Sequence, residues 1–288
     1  MSESIAIPPH LANTCRGHPE REAWLAALPA TIAELQRRWS LELGAPFTTG
    51  MCSWVAPAAR THGAAMVLKL GMPHMEAEQE IAALGFWDGE PTVRLIAHDD
   101  ACNAMLLERC EPGTALRSLA DPEQDIVIAD LLRQLWRRPA APHPFRPLSA
   151  MTDHWIAESR KDEARWPDPG LTREGLRQME ALSRATPDDV LLATDLHAGN
   201  VLAAQRKQWL VIDPKPFIGD RAYDATQHLF NCRDRLNADP IGTIKRVAGL
   251  LGVDYERVRL WTFARLAAEP RSDWSGVATL ATARALAP

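Results

Sequence analysis

The sequence predicts an α+β chain of two lobes, a smaller N-terminal lobe with an antiparallel sheet and a larger, mainly helical C-terminal lobe. Strand-like and helix-like patterns alternate over roughly the first third of the chain. Pro112 and Gly113 then break the periodicity, and most of the remaining chain carries apolar residues at helical spacing. We therefore expect a smaller N-terminal lobe at residues 1–110 and a larger C-terminal lobe at residues 111–288.

The composition is that of an ordinary globular protein. The 288 residues are 46% hydrophobic and carry a formal net charge of −5. This charge argues against a nucleic-acid partner and would suit a small cationic substrate, although it can also serve solubility alone. With no long apolar run and no leader pattern, we expect no membrane partner and a cytoplasmic location. We also expect a monomer or homodimer. The five cysteines lack C-x-x-C spacing, so we expect buried, reduced thiols and no zinc site.

In the N-terminal lobe the periodicity predicts two helices and several strands. A stretch rich in Gly, Ser, Thr and Pro at 46–58 predicts a turn between strands. The predicted helices are 19–39 and 76–87, and the predicted strands are 64–70, 93–97 and 104–107.

In the C-terminal lobe Asp121-Pro122 predicts a helix start, with Asp121 as the N-cap and Pro122 at the first helical position. Further helices are predicted at 151–166, 172–185, 222–236, 240–251, 255–268 and 273–286. The exception is 190–212, where short apolar strands flank the polar loop D-L-H-A-G-N.

This loop carries the strongest chemical signal. Asp195 opens the pattern D-L-x-x-x-N, Asn200 closes it, and Asp213 ends a strand thirteen residues later. Phosphoryl transfer from ATP needs a carboxylate near the acceptor hydroxyl and a second carboxylate, with an amide, to hold Mg²⁺. The spacing matches the catalytic loop and metal aspartate of kinases. The alternative is that these residues only shape turns, where Asp and Asn are favoured.

Lys69 is a single charge in the apolar strand M-V-L-K-L. A buried ammonium needs a partner, and Glu80 fits best on the following helix, with Glu76 and Glu78 as rivals. In kinases such a lysine binds the α- and β-phosphates and pairs with a helix glutamate. An edge-strand lysine that reaches solvent is the alternative.

Several other catalytic motifs are missing. The chain has no G-x-x-x-x-G-K-[ST], no H-E-x-x-H and no G-x-S-x-G. These absences argue against P-loop NTPases, zinc hydrolases and α/β-hydrolases. The Gly-rich G-x-G-x-x-G loop of protein kinases is absent as well.

Three segments resemble the aminoglycoside phosphotransferase superfamily: T-D-L-H-A-G-N, W-L-V-I-D-P-K-P and G-D-R-A-Y-D. Within it, W-L-V-I-D-P is most similar to the streptomycin 6-phosphotransferase and hydroxyurea phosphotransferase family. The resemblance is strong over 190–231 and fainter over 46–113. It implies a protein-kinase-like fold, with a nucleotide-binding lobe at residues 1–110 and a catalytic and substrate-binding lobe at residues 111–288. It also implies ATP-dependent transfer of the γ-phosphate to a hydroxyl of a small polar molecule, for example an aminoglycoside such as streptomycin, as in antibiotic resistance.

The resemblance also implies residue roles. Asp195 would accept or orient the proton of the substrate hydroxyl, while Asn200 and Asp213 would ligate Mg²⁺, which prefers oxygen ligands. Lys69, paired with Glu80, would bind the ATP phosphates. Ser53, in T-T-G-M-C-S, would contact phosphate, and the segment from Glu108 to Cys110 would form the hinge that binds adenine.

Five positions in and around the loop bear on this assignment. The His-Gly that usually precedes the catalytic aspartate is replaced by Ala193-Thr194, so a supporting hydrogen-bonding residue is missing. We expect His197 to brace the loop backbone. Asp224 resembles the aspartate that hydrogen-bonds the catalytic-loop backbone, or else complements a helix dipole. Lys215 would contact phosphate or substrate, or else lie in solvent.

Two other functions stay open. The acceptor could be a metabolite such as a sugar, a choline-like alcohol or an amino alcohol, with Asp234, Glu269 and Asp273 as candidate acceptor-binding residues. The altered Ala193-Thr194 pair also allows a nucleotide-binding pseudokinase that acts as a regulatory module.

Overall fold

The computed structural model describes residues 5–48, 50, 52–60, 63–269 and 277–288, and these form two compact units. The first comprises Met1–Gly113 together with Ala203–Leu210, and the second comprises Thr114–Leu202 and Val211–Pro288. The sequence places a single division after residue 110. In the structure the chain divides after Gly113, and the separate segment 203–210 returns to the first unit.

The first unit is built on a five-stranded antiparallel sheet with the order β1-β2-β3-β5-β4. Its strands are β1 (Glu42–Leu43), β2 (Ser53–Ala59), β3 (Met66–Gly71), β4 (Leu95–Asp99) and β5 (Ala104–Glu108). The turn predicted at 46–58 is wrong in its second half, which is strand β2. Trp54, Ala56 and Ala58 are buried while their neighbours are partly exposed, the alternation of a half-buried strand.

The described residues of the unit form three α-helices, and apolar residues of the first two form its core together with strand residues of the sheet. The helices are α1 (Pro9–Cys15), α2 (Pro19–Trp39) and α3 (Glu80–Trp87). The bounds of α2 agree with the sequence, but the helix predicted at 76–87 begins four residues late. Met75–Ala77 forms a separate 3-10 turn, and Gln79, at φ 70°, interrupts the helical backbone. As a result Glu80 begins α3 and is buried.

Arg206 explains why the segment 203–210 belongs to the first unit. Its guanidinium donates to both carboxylate oxygens of Glu108, at 2.8–3.3 Å, and to the carbonyls of Gly89 and Thr92 at 2.9 and 3.0 Å. Burial acts to raise the pKa of Glu108, but the hydrogen bonds from Arg206 and from the N–H of Arg94 hold it below its usual value. One bidentate guanidinium thus anchors the segment to the end of β5.

The second unit is mainly helical. Its helices are α4 (Asp121–Leu135), α5 (Leu148–Lys161), α6 (Pro169–Leu182), α7 (Arg221–Asn231), α8 (Arg233–Ala238), α9 (Pro240–Leu251), α10 (Tyr255–Ala268) and α11 (Val277–Leu286). The helix predicted at 222–236 is two helices, because Cys232 leaves the helical region at φ −104° and ψ 44°. Of the helix predicted at 273–286, residues 273–276 lie outside the described residues. No helix in the part of the chain that the structure describes is long and apolar enough to cross a membrane.

Two short strand pairs interrupt the helices. β6 (Val190–Leu192) pairs antiparallel with β9 (Phe217–Gly219), a strand that the sequence does not predict. β7 (Val201–Ala203) pairs with β8 (Trp209–Val211). The D-L-H-A-G-N loop lies between β6 and β7, and the next connection, between β8 and β9, holds Asp213. These pairings position the predicted catalytic segment.

Helix α7 is held by a buried arginine on α10. Arg265 is 4% exposed, and its guanidinium lies over the rings of Trp155, Tyr223 and Phe230 at 4.8–5.4 Å. It also donates to Glu269 at 2.7 Å. Aromatic faces attract a cation most strongly where water is excluded. Arg265 therefore ties α5, α7 and α10 together.

Asp125, on α4, is the centre of a buried ion-pair network. Arg235 donates to both of its oxygens at 2.6 and 2.7 Å, Arg246 donates at 2.8 Å, and Nε2 of His228 lies at 2.8 Å. Asp125, His228 and Cys232 together have the ligand types of a metal site. Two guanidinium groups already hold the carboxylate, so a metal cation would meet two positive charges there. We interpret the network as structural.

The charge state of His228 can be tested by its effect on stability. Burial acts to lower the pKa of His228, but the hydrogen bonds and charges of Asp125 and Cys232 together outweigh it and raise the pKa to about 9. A raised pKa stabilises the fold fully below about pH 6.5, and the stabilisation is lost as the pH rises through about 9. We expect His228→Gln to lower the free energy of unfolding at about pH 6 by on the order of 1–3 kcal/mol, with a smaller difference from wild type near pH 9.

Urea unfolding of both proteins at several pH values measures this difference. His154→Gln, at an exposed position of α5, is the control and should leave the free energy unchanged. A His228→Gln effect that does not vary with pH would contradict a charged His228.

Candidate active site

The predicted catalytic loop is a tight, internally hydrogen-bonded turn in the second unit. The side-chain nitrogen of Asn200 lies 3.1 Å from the carbonyl oxygen of Asp195 and 3.5 Å from its Oδ2. Both neighbours are acceptors, so the NH₂ group must face them and Oδ1 must face the other way. The N–H of Asn200 also donates to the carbonyl of His197 at 2.9 Å. The loop therefore presents an amide oxygen beside a carboxylate.

Two backbone hydrogen bonds bring Asp213 to the same loop. On one side of Asp213, the N–H of Ile212 donates to the carbonyl of Asn200 at 2.9 Å. On the other side, the N–H of Lys215 donates to the carbonyl of Ala193 at 2.8 Å. Asp213 itself has φ 55°, in the left-handed region that is uncommon outside glycine. The structure thus brings together the three residues that the sequence singles out.

The donor set fits a magnesium ion. An amide oxygen from Asn200 and a carboxylate from Asp213 are hard oxygen ligands, and Mg²⁺ commonly uses one or two such groups with phosphate oxygens and water. Lys215 Nζ donates to Oδ1 of Asp213 at 2.6 Å and is buried at 6% exposure. The interpretation of Lys215 as a solvated surface lysine is therefore wrong.

Asp224, on α7, holds the backbone in front of Asp195. Its carboxylate accepts from the N–H of Ala193 at 3.1 Å, from the N–H of Thr194 at 2.8 Å and from Nε1 of Trp136 at 2.9 Å. Burial raises the pKa of Asp224 to about 6, against these hydrogen bonds, which lower it. The hydrogen bonds to the loop backbone are those that the resemblance implies, and the helix-dipole interpretation does not account for them.

His197 braces the loop from within. Its Nδ1 accepts from the N–H of Gly199 at 3.0 Å, so the ring proton of the neutral form resides on Nε2. Burial lowers the pKa of His197, and the charge of Arg117 lowers it further. A β-carbon at Gly199 would lie 2.7 Å from both Cε1 of His197 and Nη2 of Arg117. A side chain at this position would therefore force the imidazole and the guanidinium to shift.

In the first unit, Lys69 and Glu80 form the ion pair that the sequence predicts. Lys69 Nζ lies 2.5 Å from Oε1 of Glu80, and the two side chains are 7% and 1% exposed. Burial of Lys69 argues against the solvent-reaching alternative. Its role toward ATP phosphates stays a prediction.

The other predicted nucleotide-site residues also lie in the first unit. Ser53 begins β2 and pairs with Gly71 of β3. Glu108 ends β5 and holds Arg206, while Cys110 is buried in the following connection. Burial, with the charge of Glu108, raises the pKa of the Cys110 thiol to about 11, which makes it unreactive.

The structure describes two of the three acceptor-site candidates, Asp234 and Glu269. Glu269 is committed to an ion pair with Arg265 at 2.7 Å, Asp234 lies exposed on α8, and Asp273 is outside the described residues.

Sequence reasoning missed two contributors to the loop, Trp136 and Arg117, and the hydrogen bond that the hydroxyl of Thr194 makes. Nothing in the local pattern marks Trp136, because its partner lies 88 residues away in the sequence. Thr194 carried a signal, since it stands where the resembled family has glycine. Arg117 precedes α4 in a 3-10 turn, and its N–H donates to the carbonyl of Ala198 at 3.0 Å.

An aspartate and an amide on one braced loop, with a second aspartate on the connection hydrogen-bonded to it, lie in a helical unit preceded by an antiparallel sheet. This arrangement defines a phosphotransferase with a kinase-like fold. A family model described as aminoglycoside/hydroxyurea antibiotic resistance kinase matches residues 38–271. The chain belongs to this family, whose members are kinases of small molecules.

Individual relatives agree with this assignment. Streptomycin 6-kinase of Streptomyces glaucescens is 36% identical, over 92% of this chain and 90% of its own. Hydroxyurea phosphotransferase of Kitasatospora aureofaciens is 35% identical, over 84% of this chain and 72% of its own. The solved structure of a Plasmodium vivax ethanolamine kinase superposes with a TM-score of 0.59 at 13% identity, over 92% of this chain and 87% of its own. This last likeness concerns the fold, and it confirms the predicted kinase-like architecture.

The carboxylate of Asp224 can be tested by an isosteric change. All three groups that face it are N–H donors, so the amide of Asp224→Asn would oppose at least one of them with its own NH₂. We expect the variant to lose about 1–3 kcal/mol of unfolding free energy and to turn over ATP at least about tenfold more slowly. Urea unfolding and steady-state kinetics measure the two effects. Asp153→Asn, at an exposed position of α5, should change neither, and wild-type turnover in Asp224→Asn would contradict the bracing role.

Gly199 offers a test of the imidazole brace. In Gly199→Ala the added methyl would displace the His197 ring and so break the bond from the Gly199 N–H. We expect turnover to fall by roughly tenfold or more, because a displacement of about 1 Å at a reacting group can cost that much. Gly85→Ala, which meets nothing within 4 Å on α3, is the matched control. Equal turnover in both variants would show that the loop tolerates the displacement.

Proposed function

We propose that this chain transfers the γ-phosphate of ATP to a hydroxyl of an aminoglycoside, with streptomycin as the first acceptor to test. The observation that carries the proposal is the braced loop with Asp195, Asn200 and Asp213 on adjoining backbone. Streptomycin as the acceptor is supported by a relative that is named a streptomycin 6-kinase. That relative is 36% identical over about nine-tenths of this chain.

In this proposal Asp195 accepts or orients the proton of the attacking hydroxyl. A carboxylate within hydrogen-bond reach of that proton contributes roughly 10²- to 10⁴-fold to such reactions. The backbone on both sides of Asp195 is fixed, by Asp224 before it and by Asn200 after it. A fixed carboxylate acts without reorganisation when the substrate binds, which is the main protein contribution to phosphoryl transfer.

Asn200 and Asp213 would hold Mg²⁺, which supplies charge neutralisation on the phosphates when bound. Lys69 would bind the α- and β-phosphates, kept in position by Glu80. Ser53 and the segment from Glu108 to Cys110 remain the proposed contacts to phosphate and adenine. The carboxylates of the helical unit and the net charge of −5 suit an acceptor that carries positive charge.

A second acceptor is favoured by a specific relative. The hydroxyurea phosphotransferase is 35% identical, almost the same as the streptomycin kinase, so similarity alone does not choose between the two acceptors. A metabolite alcohol is the third arm of the same test. The pseudokinase interpretation requires that the chain bind nucleotide and transfer nothing.

The test is an acceptor panel with purified protein, ATP and Mg²⁺. ADP release identifies turnover, and mass spectrometry with NMR shows which acceptor gains a phosphoryl group and at which hydroxyl. We expect streptomycin to be phosphorylated and Asp195→Asn to lower kcat by about 100-fold or more with nucleotide binding retained.

Asp188→Asn, an exposed carboxylate in the same unit, is the control for the loss of one negative charge. Phosphorylation of hydroxyurea alone would change the acceptor, whereas nucleotide binding without transfer to any acceptor would support the pseudokinase. Full activity in Asp195→Asn would remove the proposed role of Asp195.

A further inference from the structure

The residue just before Asp195 has an unusual backbone. Thr194 is 5% exposed and has φ 44°, in the left-handed region. A β-branched residue there is an outlier, because its side chain crowds the backbone, whereas glycine adopts this conformation freely. The resembled family has glycine at this place. The chain therefore carries a residue that makes the turn harder to form, and some contact must offset that cost.

The side chain of Thr194 makes such a contact. Its hydroxyl donates to the carbonyl of Lys215 at 2.6 Å, inside the protein. The backbone around it is held as well: the N–H of Asp195 donates to the carbonyl of Ala193 at 2.6 Å, which closes a three-residue turn around Thr194. The N–H of Thr194 donates to Asp224 at 2.8 Å. The hydroxyl thus connects this turn to the segment that carries Asp213.

We propose that Thr194 is a positioning residue, whose hydroxyl sets the place of Asp195 relative to Asp213 by tying the catalytic turn to the metal-binding segment. Glycine at this position has no side chain, so the link is a property of this chain. The hydroxyl of Thr194 replaces the hydrogen-bonding support that the chain lacks because Ala193-Thr194 stands in place of the His-Gly pair. The proposal rests on the proposed roles of Asp195 and Asp213.

Two hydrogen bonds link the segments in parallel. The N–H of Lys215 donates to the carbonyl of Ala193, and the carbonyl of Lys215 accepts from the hydroxyl of Thr194. In one bond Lys215 is the donor, and in the other it is the acceptor, so the two bonds join the same two stretches of chain in opposite directions. Removing the hydroxyl takes one donor away from the carbonyl of Lys215 and leaves the bond from the N–H of Lys215 to Ala193 and the bond from the N–H of Ile212 to Asn200. These remaining bonds restrain the segments less than all three together, so Asp213 gains freedom relative to Asp195.

Three variants separate the hydroxyl from the backbone strain. Thr194→Ser keeps the hydroxyl, Thr194→Val keeps the shape without it, and Thr194→Gly removes both hydroxyl and strain. We expect Thr194→Ser to stay within about threefold of wild type in kcat. Thr194→Val and Thr194→Gly should lose about tenfold or more in kcat and need several-fold more Mg²⁺ for half-maximal rate, with the KM for ATP nearly unchanged.

Thr262→Val is the matched control, because Thr262 is also a buried threonine whose hydroxyl donates to a carbonyl, that of Val258 at 2.7 Å in α10. It should lower stability without changing kcat or the Mg²⁺ requirement. A merely structural role for Thr194 would give this same result. Wild-type kinetics in Thr194→Gly, which is free of strain and folds most easily, would overturn the proposal.

A second measurement does not depend on the acceptor. Calorimetric titration with ATP, with and without Mg²⁺, reports how strongly the metal tightens nucleotide binding. We expect tightening in wild type and Thr194→Ser, and a several-fold smaller effect in Thr194→Val and Thr194→Gly. If no acceptor is phosphorylated by wild type, the proposed function fails and this titration alone decides on Thr194. If wild type transfers phosphate while all variants match it in both measurements, only the proposal about Thr194 fails.

Discussion

The buried carboxylate of Asp224 is the interaction on which the rest of the candidate site depends. It receives three N–H donors, and two of them belong to the residues that precede Asp195. A buried charge without partners is costly, and these donors compensate it. The N–H groups of Ala193 and Thr194 bind Asp224 directly after the end of β6, where the chain turns into the catalytic loop. The hydrogen bonds that compensate the burial of Asp224 are thus the same ones that position the backbone before Asp195.

That carboxylate must itself be held in place, and the helical unit does so with other buried charges. Arg265 fixes α7 through the rings of Tyr223 and Phe230, and Asp125 fixes its far end through His228. Ion pairs of this kind contribute little net stability compared with apolar packing, but their directional bonds define one arrangement of the helices. The positions of the helices then determine where the loop backbone lies.

Two residues of the site, Thr194 and Asp213, have left-handed backbones without being glycine. Such conformations cost about 1–3 kcal/mol each and persist only where surrounding contacts hold them. The contacts here are the hydrogen bonds between the turn before Asp195 and the segment after Asp213. Strain and bracing coincide at the place where a phosphotransferase must hold two carboxylates in a fixed relation. Membership of the family accounts for the chemistry, while the acceptor depends on side chains that no shared motif marks.

The sequence by itself determined the class of fold, the loop from Asp195 to Asn200, the place of Asp213 and the pair of Lys69 with Glu80. These follow from local spacing, because strands, helices and short catalytic loops impose periodicity on nearby residues. Only the tertiary structure decided that Trp136 shares the carboxylate of Asp224, that segment 203–210 joins the first unit and that the hydroxyl of Thr194 binds the carbonyl of Lys215. These contacts join residues 21 or more positions apart, and no periodicity of the chain encodes which distant donor meets which acceptor.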